Sequence, residues 1–257
     1  MRGLIIKDLM CLRKQLIIFS YIVISVLVIS VMFVLSSRYG NIARMNEGMM
    51  IENNMSSVDV KNLSTMALIL FMLLPVATVG DAATIFTEDG KAGFSKVSAS
   101  LPLSVKKRVM AKYITIFTVF GIGVTVDLVI SFVLSRLTDI ISFADFGGII
   151  VSAASLMGIY GALVIVFCFL FGHGKENYAI ITSWILIIMT AVLVNINKIR
   201  KLFSHSEAED AESMNVFADF LDFLKHRSYV LLAVALITIA VSYFASVGIA
   251  KRKRGVV

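Results

Sequence analysis

The chain has 257 residues, of which 58% are apolar and only 16% are charged, and its mean hydropathy is +0.91. Ordinary soluble domains contain about 45–50% apolar and about 25% charged residues, so a chain of this size could not hide this much apolar surface from water. Two prolines and 16 glycines also exclude disordered and fibrous classes. The composition indicates an integral membrane protein.

Six apolar segments are each long enough to cross a bilayer as a helix, which takes about 20 residues. The segments are Leu16–Leu35, Leu63–Gly80, Tyr113–Leu134, Ile149–Phe171, Tyr178–Ile196 and Tyr229–Ala250. Five of them contain no Asp, Glu, Lys or Arg, and the third contains only Asp127. The sequence therefore predicts an all-α integral membrane protein with six transmembrane helices.

The distribution of Lys and Arg predicts the side on which each loop lies, because cytoplasmic loops are enriched in these residues. An even number of spans places both termini on one side of the membrane. If that side is the cytoplasm, the inner segments hold 15 of the 24 basic residues but only five of the 17 acidic ones. We therefore expect both termini in the cytoplasm. Anionic lipid headgroups then account for the basic excess, and no nucleic-acid partner is needed.

We expect one transmembrane domain over residues 1–257, with three segments outside the hydrocarbon. In the first, residues 1–15, apolar side chains recur at helical spacing at Leu4, Ile5, Leu9 and Leu12. Such a basic amphipathic helix lies in the membrane interface with its apolar face in the acyl boundary. Two interpretations stay open: a simple positive anchor, or an elbow helix that positions the first span.

The second segment, residues 81–112, is the long cytoplasmic loop. Pro102 disfavours helix at the residue before it, and a helix readily begins just after a proline. The loop is therefore expected to hold a short helix near Lys91–Ser100, a break at Pro102, and a basic helix over Val105–Lys112 that leads into the third span. A separate helix between glycines and a proline is more than a connector requires, which favours a docking function over a plain connector.

The third segment, residues 197–228, is a 32-residue extracellular stretch. Phe217, Phe220, Leu221 and Leu224 follow the i, i+3, i+4, i+7 spacing of one helical face. We expect an amphipathic helix that rests against the outer membrane surface or caps the spans from outside.

Two intramembrane features admit both a structural and a functional interpretation. A carboxylate at the depth of Asp127 is costly, and it marks either a polar contact between helices or a place on a translocation path. In the fourth span, Ala154, Gly158 and Ala162 form a small-residue stripe that allows close helix packing, within one chain or between subunits.

The sequence carries no signature of catalysis or of a resident metal or cofactor. A phosphate-binding loop needs Gly-x-x-x-x-Gly-Lys-Ser/Thr, but Ile85 stands at the first glycine position before Gly90-Lys91 and Phe169 at that position before Gly174-Lys175. No His-Glu-x-x-His or Gly-x-Ser-x-Gly motif is present. We therefore expect no catalytic residue and no metal site in this chain.

The arrangement of spans and the motif of the long loop together resemble the permease subunit of bacterial type-2 ABC exporters. The motif is Glu88, then Gly90 and Gly93, then Leu101-Pro102-Leu103-Ser104, similar to the family's Glu-x-x-x-Gly and Leu-Pro-Val/Leu-Ser pattern. Here Gly93 lies five residues after Glu88 and not four. The family includes peptide and antibiotic export permeases, such as those that export phenol-soluble modulins.

The resemblance implies a permease that moves an amphipathic peptide, antibiotic or lipid-like substrate out of the cell. ATP and Mg²⁺ would bind to two copies of a separate ABC ATPase, and a second permease, identical or homologous, would complete the pathway in the plasma membrane. The implied ATPase-docking residues are Glu88, Gly90, Lys91, Gly93, Phe94, Lys96, Leu101, Pro102 and Ser104. The alternatives are an ion-coupled secondary transporter and a non-transporting immunity or sensor protein of the membrane.

Overall fold

The computed structural model describes residues 2–39, 83–94, 103–137, 143–172, 174–204, 224 and 226–254. Seven helices lie within these ranges, the described residues Phe94, Leu224 and His226 are also helical, and no described residue is in a strand. The helices are α1 (Arg2–Cys11), α2 (Arg13–Tyr39), α3 (Ala83–Lys91), α4 (Val105–Leu137), α5 (Phe143–Phe171), α6 (Glu176–Ser204) and α7 (Ser228–Arg254). The predicted all-α class is confirmed for the described part of the chain.

Four of these helices are long and apolar enough to cross a membrane. Their membrane-spanning stretches are Arg13–Met32, Val105–Arg136, Phe143–Phe171 and Ser228–Lys253, which match the first, third, fourth and sixth predicted spans. The predicted second span, Leu63–Gly80, lies outside the described residues. The predicted fifth span falls on α6, where Glu176–Thr190 is a shorter apolar stretch. The total of six spans therefore stays a prediction.

Helix α6 continues past the predicted end of the fifth span at Ile196 and ends at Ser204. The basic residues Lys198–Lys201, predicted to begin the extracellular segment, are therefore helical. Lys, Arg and Leu are good helix formers, and neither Gly nor Pro interrupts this stretch. Of the predicted amphipathic face further on, only Leu224 is described. It is buried, and its carbonyl accepts a hydrogen bond from Ser152 Oγ of α5.

Helix α4 runs without interruption from the basic stretch after Pro102 to the end of the third span. Ser104 occupies the N-cap position, and its Oγ accepts a hydrogen bond of 3.4 Å from the backbone N–H of Lys107. With 33 residues, the helix is about 50 Å long at 1.5 Å per residue. It is longer than the hydrocarbon core is thick, so one helix can link a span to structure outside the membrane.

Helix α5 is the centre of the bundle, with α4, α6 and α7 packed around it. The predicted small-residue stripe lies in these contacts. Ala154 and Ala162 are buried, and a Cβ placed on Gly158 would lie 3.8 Å from Phe120 Cε1 and 3.9 Å from Ile239 Cδ1. The stripe therefore serves packing within the chain, the first of the two interpretations.

Helices α1 and α3 pack together with the start of α4 and the ends of α5 and α7. One buried apolar cluster contains Phe86 of α3, Val109 of α4, Val247 of α7 and Leu12, which lies in the turn between α1 and α2. Phe86 also meets Phe169 of α5 edge-to-face, with ring centroids 5.3 Å apart. We call this end of the bundle the charged end.

Candidate functional site

Four charged side chains from three helices meet at the charged end. We call them the charge quartet: Lys7 and Asp8 of α1, Asp89 of α3, and Lys112 of α4. Lys7 and Asp89 are 82 residues apart in the sequence. The quartet therefore joins segments that are far apart in the sequence, and no local sequence pattern indicates that they lie close together.

Each lysine of the quartet faces both carboxylates. Lys7 Nζ forms a salt bridge with Asp89 Oδ1 and lies 2.7 Å from Asp8 Oδ1. Lys112 Nζ forms a salt bridge with Asp89 Oδ2 and lies 3.9 Å from Asp8 Oδ1. The carboxylate side chains are 0% and 5% exposed, whereas the lysines keep 24% and 13% of their side-chain surface. Two positive and two negative charges are thus held together away from water with no net charge.

Burial and ion pairing compete in setting the pKa values of the quartet. Burial raises the pKa of Asp89, but the charge of Lys112 and the hydrogen bonds from Lys112 and Lys7 outweigh it and hold that pKa below its ordinary value of 3.8. Burial lowers the pKa of Lys7, but the carboxylates of Asp8 and Asp89 outweigh it and raise that pKa above 10.5. Both groups are therefore charged at neutral pH.

Two phenylalanines cover the lysines of the quartet. Lys7 Nζ lies 3.9 Å from the ring centroid of Phe94, and Lys112 Nζ lies 4.7 Å from that of Phe86. A cation over an aromatic face is attracted by the ring quadrupole, and more strongly where water is excluded. Phe94 is one of the predicted docking residues, so the quartet holds the start of the predicted docking segment against α1.

Helix α3 ends in a turn that needs a glycine. The backbone N–H of Gly93 donates to the carbonyl of Gly90 at 3.1 Å, and Gly93 has a φ of 63°, a left-handed conformation that glycine adopts without strain. Phe94 is again helical. Lys91 therefore closes α3 and does not belong to the predicted docking helix, because the turn at Ala92-Gly93 separates the two.

The other predicted docking residues divide into exposed and undescribed positions. Glu88 and Lys91 form an exposed i,i+3 ion pair of 2.9 Å, with side chains 42% and 68% exposed. Ser104 is the N-cap of α4. Lys96, Leu101 and Pro102 lie outside the described residues. The described docking residues thus give α3 an outward face beside the quartet.

The predicted apolar face of the N-terminal segment is divided between the protein and its surroundings. Leu12 is buried, Leu4 and Ile5 are half-buried, and Leu9 is exposed. The other exposed apolar side chains of α1 are Ile6 and Met10. The charged pair Lys7-Asp8 faces inward, where it meets Asp89 and Lys112. The position of this segment in the membrane interface stays a prediction.

Sequence reasoning missed the quartet altogether. One signal was available: Asp8 is the only acid in a basic N-terminal segment, where an acid is out of keeping with membrane anchoring. Its partners could not be identified from that signal, because charges in a cytoplasmic loop are ordinarily solvated.

Tyr113, the neighbour of Lys112, connects the charged end to α7. Its hydroxyl lies 3.0 Å from Ser242 Oγ and 3.0 Å from Ser246 Oγ, and all three groups are buried. Its ring also meets Tyr243 edge-to-face at 5.6 Å. Consecutive residues of α4 thus bind α3 on one side and α7 on the other.

A lateral groove of about 680 Å³ runs between α2 and α4. Its walls are Val23 and Leu27 of α2 and eight residues of α4 between Phe117 and Ile130. The hydroxyl of Thr125 donates to the carbonyl of Gly121 at 2.8 Å, so Thr125 is satisfied within its own helix. The groove therefore offers an almost wholly apolar surface.

Asp127 does not line this groove. It is completely buried, and it shares a face of α4 with Ile116 and Leu134, which lie 11 and seven residues away and are themselves buried. The groove lies on another side of the helix. A side chain that makes a polar contact between helices must be buried between them. The burial of Asp127 fits this structural role.

Within the described residues, no group of three His, Cys, Asp or Glu side chains lies close enough to hold a metal ion. Cys11 is half-buried and Cys168 is buried, and the two are not joined in a disulfide. Burial raises the pKa of the Cys11 thiol. The chemistry of the described site is therefore that of ion pairs and packing.

Comparison with known proteins identifies the family of this chain. A family model described as ABC-2 family transporter protein matches residues 54–251, about three quarters of the chain. The searches of curated proteins and of solved structures returned no match. The family match covers the predicted docking loop and most of the bundle, and four of the described helices are long and apolar enough to cross a membrane. The chain therefore belongs to the ABC-2 family of transporter proteins.

Proposed function

We propose that this chain is the permease subunit of an ATP-driven exporter of the plasma membrane, working with a separate ABC ATPase. The observation that carries the proposal is the ABC-2 family match over residues 54–251, since permeases of this family work with an ABC ATPase. The chain also lacks a phosphate-binding loop of its own. In the proposal, ATP and Mg²⁺ bind to the partner, and the chain is not itself an enzyme.

The proposed docking surface is the outward face of α3 together with the segment that follows it. Glu88 and Lys91 are exposed there, and Gly93 turns the chain toward Phe94. The remaining proposed docking residues are Gly90, Lys96, Leu101, Pro102 and Ser104. An exposed polar face on a helix that ion pairs hold against α1 and α4 suits a surface on which a partner subunit acts.

In the proposed mechanism, closure of two ATPase subunits displaces the docking segment. The displacement reaches the spans through α4, because Lys112 contacts Asp89 of α3 and Tyr113 contacts α7. ATP then favours one packing of the bundle over another. A second permease, identical or homologous, completes the path, with the termini and the docking loop in the cytoplasm.

The proposed substrate is amphipathic: a peptide or antibiotic, phenol-soluble modulins among the peptides, or a lipid-like molecule. The apolar groove between α2 and α4 supports this class, since its lining offers an apolar chain a surface but gives an ion no counter-charge.

Co-purification tests the docking proposal. The detergent-solubilised protein is mixed with the ABC ATPase encoded beside it, and wild type is compared with Lys91→Glu and Lys96→Glu. Reversal of a docking charge is expected to lower the retained ATPase at least about tenfold, on the scale of charge-pair losses at interfaces. Lys14→Glu is the matched control, because Lys14 is exposed but lies at the start of α2, and it should retain the ATPase.

Two results would overturn the proposal. Lack of ATPase retention by every form, wild type included, would favour an ion-coupled secondary transporter or a non-transporting immunity or sensor protein. Equal losses with Lys91→Glu and Lys14→Glu would show that general charge, and not the α3 face, holds the ATPase.

Asp127 has two proposed roles, a polar contact between helices and a place on the translocation path. Its burial on a face of α4 away from the groove favours the first. Asp127→Asn in proteoliposomes separates the roles. A structural residue is expected to change thermal stability and leave transport per folded molecule unchanged, whereas a path residue changes the transport rate at unchanged stability.

A further inference from the structure

Asp8 occupies an unusual position within the charge quartet. It is 0% exposed, and within the described part of the chain its contacts are ion pairs with the two lysines, whose Nζ atoms lie 2.7 Å (Lys7) and 3.9 Å (Lys112) from its Oδ1. Both lysines also hydrogen-bond to Asp89.

Attachment of α3 does not by itself require Asp8. A buried carboxylate is costly even when it is paired, and Asp89 alone already joins α3 to both lysines. What Asp8 adds, besides balancing the charge, is a second acceptor, on α1, for the same two ammonium groups. It lies within ion-pair distance of both of them, closer to Lys7 than to Lys112.

We propose that the charge quartet is a two-position latch, in which Lys7 and Lys112 hold Asp89 of α3 in the state described here and transfer to Asp8 when α3 moves away. The displacement that drives the transfer rests on the proposed function, but the two positions are a property of this chain alone. Asp8 is the element of the latch that makes release of α3 possible.

The charges explain why release requires Asp8. When Asp89 leaves with α3, the two lysines remain with the carboxylate of Asp8, and the group carries one net positive charge. Without Asp8, the same movement would leave two half-buried ammonium groups with no counter-charge, which is far more costly. Conversely, loss of Asp89 leaves Asp8 as the sole acceptor and frees α3. Removal of one acid or the other therefore has opposite effects on the position of α3.

The test measures the separation of α1 and α3 in the full-length protein in lipid nanodiscs. Spin labels are attached at Met10 and Ala92, both exposed and outside the quartet, after Cys11→Ser and Cys168→Ala. Asp8→Asn is expected to raise the ratio of near to far populations at least about fivefold, and Asp89→Asn is expected to lower it by a similar factor, on the scale of typical coupling energies. Glu88→Gln is the matched control, since its ion pair lies within α3, and it should leave the separation unchanged.

A shift of both variants toward greater separation would overturn the latch, because a static quartet is weakened by the loss of either acid. A wild-type separation in Asp8→Asn would overturn it as well. Thermal unfolding of each variant identifies any loss of fold, and the conservative Asp8→Glu, which keeps the acceptor, should restore the wild-type ratio. The measurement needs no ATPase, so failure of the latch and failure of the docking proposal give separate results.

Discussion

The charged end of this permease and the groove between α2 and α4 are held together in different ways. At the charged end, buried ion pairs and hydrogen bonds join α1, α3, α4 and α7. At the groove, α2 meets α4 through a small apolar cluster of Val26, Ile130 and Leu134, and only 11% of the apolar stretch of α2 is buried, against 50% for α5.

The difference follows from the solvent. In lipid, apolar side chains gain little by leaving the hydrocarbon, so helix association depends on close packing and polar links. Helix α2 has few of either within the described residues, so its attachment to α4 is the weaker of the two. The charged end has both, and it is the end at which the docking loop meets the bundle. The bundle thus combines a firmly held charged end with a weakly held α2. A permease needs both stable and movable helix contacts to open and close.

The largest expected effect is the loss of Asp89. Asp89→Leu leaves Lys7 and Lys112 half-buried around a single acid, and we expect α3 to lose about 3–5 kcal/mol of attachment, as when other buried pairs are broken. Hydrogen exchange of the α3 amides measures the change. The double variant Asp89→Leu/Lys112→Met retains the balanced pair Lys7–Asp8 and is expected to recover most of the protection. Unchanged exchange in the single variant would contradict the conclusion that the charge quartet holds α3 firmly at the charged end.

A matched pair of glycine substitutions compares the core with the groove. Gly158→Leu must displace Phe120 and Ile239 and is expected to cost about 1–3 kcal/mol by overpacking. Gly121→Leu meets nothing within 4 Å and is expected to change stability by less than about 0.5 kcal/mol. Both glycines lie within helices, so the two substitutions gain the same helix propensity. The difference in stability between the two variants therefore reports the packing. Thermal unfolding in detergent compares them, and equal costs would contradict the looser packing of the groove.

Tyr113→Phe removes the hydroxyl that links α4 to α7 and keeps the ring. Loss of its contacts with Ser242 and Ser246 is expected to cost about 1–2 kcal/mol, the value of one or two net hydrogen bonds. The control is Tyr178→Phe, since Tyr178 is 65% exposed. A lowered melting temperature in the first variant and not in the second is expected. Equal melting temperatures would show that the link contributes nothing measurable.

The smallest expected effect is that of pH. The pKa of Asp89 is lowered, so its contribution to attachment of α3 is complete above 3.8 and is lost as pH falls through the lower value in the folded protein. The pKa of Lys7 is raised, so its contribution is complete below 10.5 and is lost as pH rises through the higher value. The α1–α3 label separation should therefore be constant from about pH 5 to about pH 9. A change near neutral pH would contradict the pairing.

Much of the fold was predictable because lipid leaves the chain few options. An apolar run of about 20 residues must satisfy its backbone internally, and a helix does so. Hence Arg13–Met32, Val105–Arg136, Phe143–Phe171 and Ser228–Lys253 agree with predicted spans. The start of α4 was equally predictable, since Pro102 is a local signal. The end of α6 was not, because the basic residues after Ile196 were assigned to a loop although they favour helix.

The candidate site was predictable only in its outward half. Glu88, Gly93 and Phe94 stood out in the sequence because a motif is a local pattern, and Gly93 does form the turn that ends α3. The inward half depends on Asp89. This residue directly follows Glu88 in the chain, but its side chain is buried, whereas that of Glu88 is exposed. Which of two neighbouring acids faces inward depends on where α1 and α4 lie.

Composition and the spacing of apolar residues were thus sufficient to determine that this chain is a helical membrane protein, because hydrocarbon acts on every residue in the same way. Only the tertiary structure decided which face of α1 turns inward and which charges meet. Lys7, Asp89 and Lys112 come from separate helices, and a buried charge is tolerated only where its partner is already in place. That condition is a property of the assembled bundle, and no single segment of the chain contains it.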